Sequence, residues 1–371
     1  MSGLPFLPCS LRLPRQAAIA ALALALLTGL AACRQGPGGS RPETGKPAAA
    51  PSGGPAQAVT LGVYSGRHYN TDQALYARFT QATGIRVKLL EGKDDALIER
   101  LRNEGAASPA DLLVLVDAAR LHRAAKAGLF QPMNAPAIRT GVPAELRDSQ
   151  DRWTALTRRV RLMVVNPAQV DPALVRTYAD LTRPELRGKL CLRNGRSVYN
   201  QSLVAGQLIL QGEAQTKRWL GGVIANLKAP FYSSDVALAR AVARGACGVG
   251  VVNSYYVARL LSGEGGAEDR ALLAGVKVIV PDPAHINVSG AGITRHSRHP
   301  EAARRLLEFL VSPSGGGQGY ARANHEYPLV GSGGDPVLAG FGPVRSDGVP
   351  IDQLGARNTE AVDLMRAAGW P

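Results

Sequence analysis

Residues 112–116 read Leu-Leu-Val-Leu-Val, five apolar side chains with no polar break. A strand with one wet face would alternate apolar and polar residues. An unbroken run belongs instead to a strand covered on both sides, as in parallel sheets. The run closes a regular series. Residues 59–64, 86–90 and 112–116 have strand character, and residues 71–83, 94–104 and 117–127 have helical character. Ala96, Leu97 and Leu101 give the second helix an apolar face, while Asp117 supplies an N-cap for the third and Gly128 stops it. Three alternations of strand and helix call for a doubly wound α/β sheet.

A second lobe begins after Trp153. Residues 156–165 form a strand-like crossing segment, 178–181 open a short helix, and 190–193 and 249–253 are strands. Helices are expected over 200–210, 213–227 and 234–244. Residues 285–294 read as a return crossing into a helix over 300–311, with Leu306, Leu307 and Leu310 on one face. No internal repeat is evident. Two α/β lobes joined by two crossings describe a hinged clam-shell whose ligand sits between the lobes. The boundaries are then 59–157 for the first lobe, 158–284 for the second, 285–335 for the return and 336–371 for a C-terminal segment packed on the second lobe.

The first 32 residues read as a targeting segment. Arg12 and Arg15 form a positive region, followed by an Ala- and Leu-rich run over 16–30 that is short for a membrane span. The run ends Leu-Ala-Ala-Cys33, which resembles a lipoprotein signal whose cleavage leaves Cys33 as the lipidated first residue. Residues 33–58 are rich in Gly, Pro, Ala and Ser, the composition of a flexible tether. These features point to export and attachment to a bacterial membrane through lipid. The formal charge of +14 becomes +12 without Arg12 and Arg15. Its scattered distribution on an exported chain argues against nucleic acid as a partner and is compatible with an anionic surface or a generally basic background. Apart from Cys9 and Cys33 of the signal region only Cys191 and Cys247 remain, a disulfide in an oxidising compartment or else two separate buried thiols.

Three short turns between strand-like and helix-like runs carry the candidate ligands. They hold His68 and Tyr69, then Tyr199, then the pair Tyr255 and Tyr256. In an α/β protein such turns share the carboxyl edge of the sheet, where ligand crevices form. Phenolate is a hard oxygen donor, and Fe³⁺ is the hard cation that suits it best. Taken singly, each turn also reads as surface decoration or aromatic packing.

The segments YSGRHYNTD, GKDDALIERL, ASPADLLVLVD, SVYNQSLVA, VVNSYYVARL, HINVSGAGIT and ANHEYPLV stand in this order across residues 59–371. In them the chain resembles the periplasmic iron-binding receptors of ABC transporters, the ferric-binding and FutA-like group. The resemblance implies a bilobed type II periplasmic-binding-protein fold, two doubly wound domains joined by a two-strand hinge. It implies ferric ligation by Tyr69, Tyr199, Tyr255 and Tyr256, with His68 as a further candidate, in a monomer that serves a membrane permease. Arg159 and Arg161 match the family's Thr-Arg-x-Arg pattern on the inter-lobe crossing, with Arg158 where the family has threonine. A cation there would offset phenolate charge or hold a synergistic anion such as carbonate; the alternative is a solvated basic strand edge. The competing functions are a receptor for an organic anion, a polyamine or Fe²⁺, and an exported hydrolase. No G-x-S-x-G elbow, H-E-x-x-H zinc motif or Cys-His signature supports a hydrolase.

Overall fold

The computed structural model describes residues 59–371 apart from 68–70, 314, 332 and 333. The leader, the tether with Cys33, and the pair His68 and Tyr69 therefore lie outside the described residues. The first lobe follows the expected alternation: β1 (Thr60–Ser65), α1 (Thr71–Thr83), β2 (Arg86–Glu91), α2 (Asp94–Glu104), β3 (Leu112–Val116) and α3 (Ala118–Lys126). Leu112, Leu113, Val114 and Leu115 are all fully buried. Burying a leucine or valine side chain stabilises by roughly 1.5–3 kcal/mol, so a charge placed at Leu113 would break this layer. The strand is parallel to β1 on one side but antiparallel to β8 (Ile286–Ile293) on the other. An apolar run reports cover on both faces and leaves strand direction open.

A short helix, α4 (Pro136–Gly141), precedes the long strand β4 (Thr154–Val165). This strand joins the two lobes. Its first half pairs with β8, and its second half, from Arg161 to Val165, pairs with β6 (Val249–Asn253). In the second lobe β5 (Leu190–Cys191) runs parallel to β6, and β7 (Lys277–Ile279) pairs with the end of β4. One continuous order results, β2-β1-β3-β8-β4-β6-β5, with β7 beside β4.

The second lobe's helices are α5 (Val198–Ala225), α6 (Asp235–Ala243), α7 (Ser254–Ser262) and α8 (Ala267–Leu273). Gly212, at φ 76° and ψ 171°, interrupts α5, so the two helices expected on either side of it meet at a break only glycine adopts easily. The chain returns through β8 to α9 (Pro300–Val311) and α10 (Gly317–Arg322), then crosses to α11 (Pro336–Ala339), α12 (Ile351–Ala356) and α13 (Asn358–Ala367). The helix α13 packs on α5, whereas α12 lies against both α5 and α3. A side chain at Gly355 would come within 2.5 Å of the Ala118 carbonyl oxygen and of His122 Cβ. The C-terminal segment thus touches both lobes. No described helix is long and apolar enough to cross a membrane.

Candidate functional site

The three described tyrosines occupy the first turns of two helices, Tyr199 on α5 and the pair Tyr255 and Tyr256 on α7. Helix N-termini carry partial positive charge from their unpaired amides, which favours anionic groups by about 0.3–1 kcal/mol. Tyr255 Oη donates to Tyr199 Oη at 3.2 Å, and Asn253 Nδ2 donates to Tyr255 Oη at 3.5 Å. The rings of Tyr255 and Tyr256 have centroids 4.2 Å apart at 41°. Adjacent residues on a strand would point to opposite faces. Because α7 starts at Ser254, both rings project from one helical turn and remain together. Tyr255 is buried and Tyr256 half-buried. The N-terminal turn that carries His68 and Tyr69 is described only up to Arg67 and from Thr71 onward.

Beneath the tyrosines lies a charged floor supplied by one face of β4. Thr157, Arg159 and Arg161 alternate along the strand and are 0%, 0% and 2% exposed, so neither arginine lies on a solvated edge. Arg158 points the other way, donating from Nε to the Pro328 carbonyl at 2.7 Å and from Nη2 to the Gly331 carbonyl at 2.9 Å. The two buried arginines differ in their bonding. Arg161 donates to Asp235 Oδ2 and Asn200 Oδ1 at 2.8 Å each, and to the Val251 carbonyl at 2.9 Å. Among the described residues Arg159 has only Ser289 Oγ at 3.4 Å and the Asp117 carboxylate at 3.7 Å. Its Nε and Nη2 are buried without a hydrogen-bond partner among the described residues. Three guanidinium groups face the Tyr199 ring, those of Arg193, Arg159 and Arg161, at 5.3, 5.5 and 5.8 Å from its centroid. Nearby Asp117 and the Tyr255 and Tyr199 phenols hold the Arg159 guanidinium in its charged form despite complete burial.

Fold and site together match a known group. Residues 107–338 fit the family described as bacterial extracellular solute-binding protein. The chain belongs to that family. Iron uptake protein A1 of Synechocystis is 39% identical to this solute-binding protein over 322 residues, 85% of this chain and 89% of the relative. The Fe(3+)-binding periplasmic protein of Serratia marcescens is 29% identical over 83% of this chain and 89% of its own length. A Trichodesmium protein solved in complex with iron and citrate superposes with a TM-score of 0.81 at 38% identity, covering 84% of this chain and 100% of the other. The ferric binding protein from Campylobacter jejuni gives 0.77 at 30% identity, with 84% and 100% covered. The architecture is the bilobed type II periplasmic-binding-protein fold.

Several residues that build the site of this solute-binding protein escaped the sequence reading. Asp235 accepts from Arg161 and from the Asn253 backbone N–H at 2.8 Å each, so one buried carboxylate orients both the crossing strand and the start of α7. Asp117, read from sequence only as a helix cap, accepts from Ala119 N–H at 3.0 Å, Ser202 Oγ at 2.7 Å and Asn287 Nδ2 at 2.9 Å. It ties the first lobe to α5 one turn beyond Tyr199. Its φ of 104° is a strained value for a residue with a Cβ, costing on the order of 1–3 kcal/mol. The side-chain partners Arg161, Ser202 and Asn287 lie 74 to 170 residues from the carboxylates they meet, so no local pattern links them. Cys191 and Cys247 are joined, with Sγ–Sγ 2.07 Å and Cα–Cα 5.9 Å.

Proposed function

We propose that this chain is the receptor of an ABC transporter that binds Fe³⁺ between its lobes and delivers it to a membrane permease. The proposed donors are the phenolates of Tyr69, Tyr199, Tyr255 and Tyr256, with His68 as the remaining candidate. The observation that carries the reading is the 3.2 Å separation of the Tyr199 and Tyr255 phenol oxygens on helix starts from different parts of the second lobe. Oxygens about 3 Å apart match neighbouring corners around a small octahedral cation with bonds of roughly 2.0–2.1 Å. The relatives' names supply the choice of iron, and hard phenolate oxygen supplies its chemistry.

Arg159 adds the second element. A buried guanidinium with two nitrogens that lack a hydrogen bond among the described residues, beside the phenols, suits an anion, carbonate or a carboxylate, that completes the metal's shell. Four phenolates on Fe³⁺ would leave the site one charge negative, and Arg159 offsets that charge. Arg161, already bonded to Asp235 and Asn200, keeps the floor in shape. Binding must displace phenolic protons, so affinity falls as pH falls. With His68 and Tyr69 on the first lobe and the others on the second, loading closes the cleft. The chain is a carrier and performs no covalent chemistry. It works as a monomer in the periplasm, held to the membrane by lipid on Cys33.

Equilibrium dialysis against Fe³⁺ tests the reading. The expected result is stoichiometric uptake with a visible phenolate-to-iron charge-transfer colour that is lost in Tyr255→Phe/Tyr256→Phe. A colourless wild-type protein that takes up no Fe³⁺ would overturn it.

A further inference from the structure

Helix α10 ends in a turn that is usually made with glycine. His325 N–H donates to the Arg322 carbonyl at 3.2 Å and Glu326 N–H to the Ala321 carbonyl at 2.9 Å, the paired bonds of a Schellman motif. That motif puts the first residue past the helix in the left-handed region, and His325 stands there at φ 52°. Glycine takes this conformation without cost, whereas a residue with a Cβ is disfavoured in it. The chain thus holds an imidazole where the backbone alone would favour glycine, and the ring's contacts give the reason.

His325 Nδ1 lies 2.7 Å from Asp335 Oδ2, and its Nε2 lies 2.8 Å from Glu264 Oε1. The imidazolium, with two N–H donors, satisfies both contacts at once. The other oxygen of each carboxylate is engaged as well. Asp335 Oδ1 caps α11, accepting from Val337 N–H at 2.9 Å and Leu338 N–H at 3.1 Å. Glu264 Oε2 accepts from Arg259 Nε, on the last turn of α7, at 3.1 Å. The ring and its partners come from different lobes. Helix α10 lies against α1 and α9 of the first lobe, and Tyr327 exchanges backbone hydrogen bonds with Arg158 of β4 at 2.8 Å each way. Glu264 follows the end of α7, and α11 packs on α7, so both carboxylates belong to the second lobe. An exposed ion pair by itself holds little. This ring is 13% exposed and is held at both nitrogens.

We propose that His325 is a clasp between the lobes. It pins the end of α10 to two second-lobe carboxylates. Through Glu264 and Arg259 it holds the last turn of α7, the helix whose first turn carries Tyr255 and Tyr256. The phenol-bearing helix is thereby tied at its far end to the first lobe, so a change in lobe spacing acts on it directly. The clasp is independent of which ligand the cleft takes.

His325→Gly removes the ring and suits the left-handed turn. Glu264→Ala removes one partner at a position 48% exposed, so a second folded variant is available. In the ligand-free full chain, amide hydrogen exchange over 258–262 and 323–327 should accelerate roughly tenfold or more in either variant, the factor that goes with a lost charge-assisted hydrogen bond. Exchange over 112–116 should keep the wild-type rate. The double variant should fall short of the sum of the two single effects, because both break the same contact. Spin labels on Glu99→Cys and Lys217→Cys, exposed positions on the first and second lobe, should report a broader spread of inter-lobe distances once His325→Gly is added. Wild-type exchange in both variants, exchange raised throughout the chain, or additive effects in the double variant would each overturn the proposal. Faster local exchange with an unchanged spread of distances would make the ring a local helix stop and would overturn it too.

Discussion

Tyr255 Oη reaches Tyr199 Oη at 3.2 Å, although the two residues stand 56 positions apart and begin different helices. What holds them together lies below. Cys191 at the end of β5 pairs in register with Gly250 of β6 and is bonded to Cys247 just before that strand. Further along, Asn200 and Asn253, each beside a tyrosine turn, both contact the Arg161 guanidinium, at 2.8 and 3.3 Å. The phenol pair is thus the visible end of two strands tied at their base.

Tyr199→Phe tests that pair directly. The substitution removes one oxygen and leaves the ring among its three guanidinium neighbours. Iron affinity should fall by about a hundredfold or more, at or beyond the upper end of what outer-shell changes do, because a direct donor is lost. The charge-transfer band should weaken while the melting temperature of the iron-free protein stays near wild type. Wild-type affinity in the variant would remove Tyr199 from the donor set.

Arg159 and Arg161 should respond differently to substitution. Arg161→Met strips Asp235 of a buried partner and frees Asn200, so it should destabilise by about 3–5 kcal/mol in urea unfolding. Arg159→Gln leaves Asp117 with donors from Ala119, Ser202 and Asn287. Its main effect should be on binding, a lower ferric affinity that no longer depends on added carbonate or citrate. Equal losses of stability in both variants, with anion dependence intact, would contradict the division of labour.

The sequence made much of this legible, for particular reasons. The alternation from β1 to α3 could be read because each element is short, periodic and punctuated, as at Asp117 and Gly128. The phenols stood out because aromatic pairs are rare in turns, yet their mutual distance depends on β5 and β6 lying side by side. Charge partners were the least visible. Asp235, Glu326 and Asp72 look like ordinary surface residues in the sequence, and only the fold shows that each is buried against an arginine. Arg158, Arg159 and Arg161 could be sorted only by strand alternation once β4 had fixed limits.

Cleavage of the Cys191–Cys247 bond should loosen the base of the phenol pair. The bond closes a loop of 56 residues, for which chain entropy predicts about 4 kcal/mol of stabilisation. Without reductant, alkylation should leave the mass unchanged. After reduction under denaturing conditions and refolding with blocked thiols, the urea midpoint should drop and iron should dissociate faster. Alkylation of both thiols in the native, unreduced protein would show that the bond does not form.

Alkaline titration separates the buried phenols from the rest of the ten tyrosines. Burial pushes Tyr76, Tyr178 and Tyr320 well above the ordinary phenol value, and it pushes Tyr327 up to about 12, with Asp335 adding to the shift. A raised value means the folded chain keeps a proton that the unfolded chain releases near pH ~10. The contribution of these groups to stability is therefore present below about pH 10 and is lost as pH rises through 12. In near-ultraviolet absorbance of the iron-free protein these four phenols should ionise only at about pH 12 and beyond or on unfolding, as the melting temperature falls across the same interval. A single step near pH ~10 involving every tyrosine, with native circular dichroism retained, would mean that these four phenols are not sealed in the core.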